Sequence, residues 1–216
     1  MKRRLWAAFS AVLFFVAAAR AEDFGERLRA LEPVIGHYPA EISDSNAAEV
    51  KARYEALKTD LDQGLAQNPG DEKFLAQRGY LQAMGHNADY SGAWEGATTD
   101  LTAALEKDPN DVFAILALAN LWVNSRPDLA GRAELLFRAA QCNRGDKPLE
   151  EAQRGLFFAF YYQGKFNDAW RQARYLTQTW PEVKNYAQFV EIGAKAAHKK
   201  GGEKPSRVAM TTCKAH

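Results

Sequence analysis

Few side chains in this 216-residue sequence have the chemistry of a reacting or metal-holding group, and those few are scattered. The four histidines, His37, His86, His198 and His216, lie far apart along the chain. None belongs to an H-E-x-x-H pair, and C-x-x-C, G-x-S-x-G and phosphate-cradling glycine loops are also missing. Asp60-Leu61-Asp62-Gln63-Gly64 has some of the acidic spacing of a calcium loop. Its glycine comes one place early and Leu61 belongs to an apolar face, so it is rejected as a calcium site. His86, Asp89 and Tyr90 fall together in GHNADYSG, residues 85–92, where they would make a small ligand or enzymatic site. A longer solvent loop accounts for the same residues. Cys142 and Cys213 are the two cysteines; an intramolecular bridge, a bridge between chains and free thiols are all open. These residues lead to an expectation of no catalytic group, no metal and no cofactor.

The elements behind such residues carry more information. In GKFNDAWRQARYLTQTWPE, residues 164–182, Ala169 is followed by Ala173, Leu176 and Pro181 at steps of +4, +3 and +5. The same steps run through Ala97, Leu101, Ala104 and Pro109, and through Ala133, Phe137, Ala140 and Gly145. They also run through Leu57, Leu61, Gly64 and Pro69. The copies begin 40, 36 and 36 residues apart, a period that marks stacked repeats. Steps of four and three keep residues on one helical face, and the closing Pro or Gly stops the helix.

A second helix precedes each of the last three copies. Its face is Leu75, Arg78, Gly79 and Gln82, then Ile115, Leu118, Ala119 and Trp122, then Gln153, Leu156, Phe157 and Phe160. Asn110 is expected to cap the helix beginning near Asp111, and Pro148 to open the next, with Glu150 and Glu151 in its first turn. Asn46 with Glu49 resembles a capping box for a long helix to about Gln67. Pro181 is expected to open a final capping helix to about His198, with Glu191 at its small-residue place. No segment alternates strongly enough to predict a strand.

The ends read differently. MKRR, the apolar run Leu5 to Ala19 and the Ala19-Arg20-Ala21 site have the layout of a secretory signal peptide, residues 1–21. The apolar run is shorter than the roughly 20 residues a spanning helix needs. A cleaved, exported chain from Glu22, periplasmic or secreted and without a membrane span, is expected. Four bases leave with the signal, so a net charge of +1 becomes −3. Such a balance points to no nucleic acid. Residues 22–46 are expected to be an extension with a short helix, and 199–216 a basic, disordered tail.

The paired pattern resembles the tetratricopeptide repeat, a helix–turn–helix unit of about 34 residues. Ile115, Leu118, Ala119 and Trp122 match the large–x2–large–small–x2–aromatic run of that family's first helix, and Gly164, Phe166 and Ala169 match its second half. Phe157 departs by standing at a small-residue place. The turn 85–92 carries six extra residues. The resemblance implies an all-α fold, a right-handed α-solenoid over 47–198. It would hold about three full repeats, a leading helix and a capping helix. It also implies a concave face built from the first helices of each pair. By register that face holds Lys73, Tyr80 and Met84, then Phe113, Asn120 and Asn124, then Arg154, Phe158 and Tyr161. Aromatics with Asn, Lys and Arg suit a protein or peptide partner. Phe113 and Phe158 equally suit packing between helices. The expected function is a scaffold or adaptor that binds a partner noncovalently, in assembly of a cell-envelope complex. A ligand or enzymatic role at 85–92 and a self-associating structural protein are the alternatives.

Overall fold

The computed structural model describes residues 24–205 and 209–211. The expected signal segment and Cys213 lie outside the described residues. Among those described, all regular structure is helical and no strand occurs. Helix α1 covers residues 24–35. It is followed by α2 (Ala47–Gln67), α3 (Glu72–Asn87), α4 (Ala93–Lys107) and α5 (Val112–Ser125). A 3-10 turn (Pro127–Leu129) leads to α6 (Ala130–Asn143), α7 (Glu150–Tyr162), α8 (Phe166–Thr179) and α9 (Asn185–Lys199). No described helix is long and apolar enough to cross a membrane. The chain forms two compact units, one ending at Asp100 and one beginning at Leu101 within α4.

The repeated spacing is the buried face. Leu57, Leu61, Ala97, Leu101, Ala104, Ala133, Phe137, Ala140, Ala169, Ala173 and Leu176 are all fully buried. The helices that carry them, α2, α4, α6 and α8, each end two residues before Pro69, Pro109, Gly145 and Pro181. A proline cannot donate the next helical hydrogen bond, and Gly145 turns out with φ 63°. The first helices bury their expected faces too, including Ile115, Leu118, Ala119 and Trp122 on α5. After α7, Gly164 takes φ 73° and donates to Tyr161 O (3.0 Å), while Lys165 N reaches Phe160 O (2.9 Å). This pair of bonds closes the helix in a Schellman turn.

In the first unit, Phe24, Leu28, Leu31 and Ile35 of α1 pack with Val50, Tyr54, Leu57 and Leu61 of α2. Helix α1 is thus the partner that α2 lacks in the repeat pattern. Polar ties add to the packing. Arg78 of α3 donates to Asp62 of α2 (2.7 Å) and through two nitrogens to Asp100 of α4 (2.7 Å each). Gln82 Nε2 donates to the same Asp100 carboxylate at 2.6 Å. The Asp100 hydrogen bond holds the Arg78 guanidinium even more firmly charged than usual.

In the second unit Glu134 of α6 is buried and accepts from Arg138, Gln163 and Lys165 at 2.8–2.9 Å. Burial opposes its ionisation, but Lys165, Gln163 and Arg138 outweigh that and hold its carboxyl below the ordinary 4.5. The close approach of α6 and α7 comes at Gly155, where a Cβ would lie 2.2 Å from the Phe137 ring. Phe157, the large residue at a small-residue place, stacks on Phe189 of α9 at 4.6 Å and 4°.

Helix starts differ from expectation at four points. Asp111, not Asn110, caps α5, accepting from Phe113 N at 2.9 Å. An aspartate one residue later is simply better placed to meet the free N–H groups. Pro148 precedes Leu149, the N-cap of α7, rather than opening the helix. Asn46 stands at the N-cap of α2 as expected, but its side chain makes no capping bond; it accepts from Ser43 N (2.7 Å) and donates to Glu41 O (3.3 Å), tying down the loop before α2. Helix α9 begins at Asn185, because 181–184 forms a turn in which Val183 N bonds Trp180 O (3.1 Å).

Candidate functional site

The residues expected to meet a partner divide by unit. In the first, Lys73 is exposed at the start of α3, whereas Tyr80 and Met84 are not available. Met84 is 1% exposed in the core shared with α1 and α2. Tyr80 is half-buried against that core and donates to Glu32 of α1 at 3.0 Å. Helix α1 covers the face on which the register places them, so Met84 is corrected from a partner-binding residue to a core residue.

In the second unit the expected residues do come together. On α5, Phe113 is 42% exposed and Asn124 is exposed, so Phe113 is not buried between helices. Asn120 donates from Nδ2 to Glu151 Oε1 of α7 at 2.6 Å. On α7, Phe158 and Tyr161 are half-buried. Phe158 sets its edge against Phe157 (5.2 Å) and against Phe189 of α9 (5.2 Å). Tyr161 lies over Phe157 at 6.1 Å and edge-on to Phe166 at 5.5 Å. These rings are half seated and half open, which gives rigid apolar contact area at low entropic cost.

Arg154 is the charge on this face. Glu150 and Glu151 stand four and three residues before it, the positions from which a helical acid ordinarily pairs with a base. Both are engaged elsewhere. Glu151 accepts from Asn120, and Glu150 accepts from the Tyr186 hydroxyl of α9 at 2.6 Å. Burial, reinforced by Glu150, pushes the Tyr186 phenol well above its usual pKa, so it remains a neutral donor. Arg154 is left exposed, with no hydrogen bond or ion pair to the described residues. A guanidinium in that condition, one turn from Phe158, is suited to a carboxylate on an otherwise apolar ligand.

Glu150, Glu151, Tyr186 and Phe189 were not among the expected site residues. A signal for Phe189 exists. Phe189, Ile192 and Gly193 repeat the large–x2–large–small run, and Gly193 is buried against α8, where a Cβ would lie 2.9 Å from Trp170 Cα. Counting α9 from Pro181 shifted that register onto Glu191, which is exposed.

The inserted turn is a packing element. Residues 85–87 extend α3, and Tyr90 N donates back to Gly85 O at 2.9 Å. The Tyr90 ring stands edge-on to Tyr54 at 4.8 Å. Burial, with Tyr90, Asp62 and Glu55 nearby, pushes the Tyr54 phenol up to about 12. Asp89 takes φ 57°, a left-handed conformation that aspartate tolerates better than most residues. Among the described residues no three His, Cys, Asp or Glu side chains gather as a metal would require. A cavity of about 240 Å³ at the start of α8 is lined by Lys165, Asn167, Asp168 and Lys200 among others. Lys165 is already paired with Glu134. Comparison with family models, curated proteins and solved structures returns no match to this chain.

Proposed function

We propose that the α5–α7–α9 face of the second unit binds a protein or peptide partner noncovalently, with Arg154 receiving a carboxylate and Phe113, Phe158, Tyr161 and Phe189 receiving apolar side chains. Asn120 positions the face by holding Glu151. The observation that carries this reading is the exposed, unpaired Arg154 beside half-open aromatic rings. We further propose that the helix pairs are units of a right-handed α-solenoid of the tetratricopeptide type. Supporting this are the fully buried repeat positions and the common stop of α2, α4, α6 and α8. With a signal-like N-terminal sequence, the chain is read as an exported scaffold or adaptor in the cell envelope.

The test is capture from envelope extract with the chain from Glu22 and its Arg154→Ala/Phe158→Ala variant side by side. The variant is expected to lose the partners that the parent retains, at unchanged helicity. A variant that captures every partner the parent does would overturn the assignment of the face.

A further inference from the structure

The net charge of the second unit is gathered in one place. Residues 101–194 hold eleven bases and eleven acids and are neutral, whereas residues 195–204 hold four lysines and one acid. Lys195, Lys199, Lys200 and Lys204 are all exposed, and none of their ammonium groups makes a hydrogen bond or ion pair to the described residues. Glu191 stands four residues before Lys195, a place from which a helical acid ordinarily pairs with a base, yet no such pair forms.

The fold holds these lysines to the body instead of leaving them on a loose tail. Lys195 and Lys199 lie one turn apart on α9, about 6 Å along its axis. Gly201, at φ 73°, ends the helix by donating to His198 O (3.0 Å), and Gly202 N bonds Ala197 O (2.9 Å). The chain then runs so close to α8 that a Cβ on Gly202 would fall 2.2 Å from Asn167 Oδ1. Pro205 is buried, and its carbonyl accepts from Arg174 of α8, which fixes the backbone that carries Lys204. Lys200 lines the cavity of about 240 Å³ at the start of α8 together with Lys165 and Asp168. Lys165 is engaged by Glu134 (2.8 Å) and Asp168 by Arg171 (2.7 Å), so Lys200 supplies the net charge there. Ile192, 44% exposed, stands three residues before Lys195 and seven before Lys199, on the same stripe of α9.

Four unpaired ammonium groups held on one fixed surface match an array of phosphates better than a single small anion. An apolar side chain in their midst gains from such a surface only where it can leave water, which is the headgroup–acyl boundary of a bilayer. We propose that residues 192–204 form an interaction surface for an anionic lipid bilayer, on which the lysines receive lipid phosphates and Ile192 enters the boundary. The chain from Glu22 is acidic as a whole, with a net charge of −3. At physiological salt, charges more than about 8 Å away are screened, so the local patch decides the contact. This surface is independent of the face carrying Arg154.

Sedimentation with vesicles tests the surface. The chain from Glu22 is mixed with vesicles of equal parts phosphatidylcholine and phosphatidylglycerol, or of phosphatidylcholine alone. Binding is expected to the anionic vesicles only, and it should fall as salt rises. Lys195→Ala/Lys199→Ala should weaken it about 25-fold, at roughly fivefold per lysine, with helicity unchanged. Arg144→Ala/Lys147→Ala removes the same charge from the exposed loop between α6 and α7 and should leave vesicle binding as it is in the parent. Arg154→Ala/Phe158→Ala should also bind vesicles as the parent does, so that failure of the partner face and failure of this surface read separately. Equal binding to neutral vesicles, equal weakening by the two double-base variants, or release from anionic vesicles by inorganic phosphate or soluble oligoglutamate at matched ionic strength would each overturn the proposal.

Discussion

Gly155→Ala is the sharpest test of how the second unit is held together. In the middle of an exposed helix this change would stabilise by about 1 kcal/mol, because alanine is the better helix former. Here the added Cβ would lie 2.2 Å from Cε1 and Cζ of Phe137 and 2.6 Å from Cδ1. Ordinary carbon–carbon contact is about 3.5–4.0 Å, so the ring would have to withdraw by more than ~1 Å. Phe137 is fully buried, and no solvent-facing space is open to it. Overpacking of this kind costs about 1–3 kcal/mol, and this clash belongs at the upper end. After the propensity gain the net loss should be about 1–2 kcal/mol, or roughly 2–8 °C in the melting transition of a chain this size. Urea denaturation followed by circular dichroism would measure it. Phe137→Leu should be mildly destabilising alone, because it leaves a small void. Combined with Gly155→Ala it should recover about 1 kcal/mol relative to the sum of the single changes. Leucine fills the equivalent place at Leu61 and Leu101, so the repeat accommodates it. A stabilised Gly155→Ala variant, or strict additivity with Phe137→Leu, would refute the knob-and-hole account of the α6–α7 contact.

Three further perturbations address the polar and inserted elements. Glu134 has a folded pKa below 4.5, so its contribution is fully present above that pH and drains away as pH falls through the lower folded value. Glu134→Gln should therefore flatten the acid side of a stability–pH curve, and a curve parallel to the parent's would contradict the network. Asp100→Asn should cost roughly 2–3 kcal/mol in the first unit, less than a fully buried pair, because Arg78 keeps Asp62 and some exposure; a change within error would show that Arg78 is not anchored there. Tyr90→Ala should cost about 1 kcal/mol through the lost edge contact with Tyr54. It should also bring the Tyr54 phenol down from about 12, measurable by ultraviolet titration, and a phenol that stayed put would place the cause elsewhere.

Most of the helical framework was legible because it rests on short-range rules. A residue every third or fourth place selects a face, and Pro or Gly ends the helix whatever lies around it. That is why Ala133, Phe137 and Ala140 could be assigned to the buried side of α6 from spacing alone. Cap positions were less legible, since Asn110 and Asp111, or Pro148 and Leu149, compete within one residue of each other. The choice is made by which side chain meets a free N–H in three dimensions. Features decided by distant segments were not legible. Nothing in the spacing of α3 says that Met84 lies beneath α1, nor that residues 201–205 and 209–211 return to α8 and α7. Thr211 carries no periodic pattern; it finds Gln172 only because 39 residues of folded chain bring it there.

The candidate face shows how a repeat separates scaffold from site. Within each pair the recurring positions are consumed by helix contacts, and what remains between them is free to vary. On α7 those intervening positions are Glu150, Glu151, Arg154, Phe158 and Tyr161. Read along one helix, Glu150 and Glu151 would neutralise Arg154, and the sequence of α7 alone favours that outcome. Packing reverses it. Asn120 draws Glu151 towards α5 and Tyr186 draws Glu150 towards α9, each across a helix boundary and each at 2.6 Å. The neighbouring helices thus take up the two acids and leave the base facing outwards. A free guanidinium on this face is accordingly a property of three helices in contact, not of any one of them. Its exposure should depend on Asn120 and Tyr186 as much as on Arg154 itself. Asn120→Ala/Tyr186→Phe should return both acids to Arg154 and weaken capture of any carboxylate-bearing partner, although neither substituted residue need touch that partner. Undiminished capture by this variant would mean that Arg154 is not kept free by its neighbours.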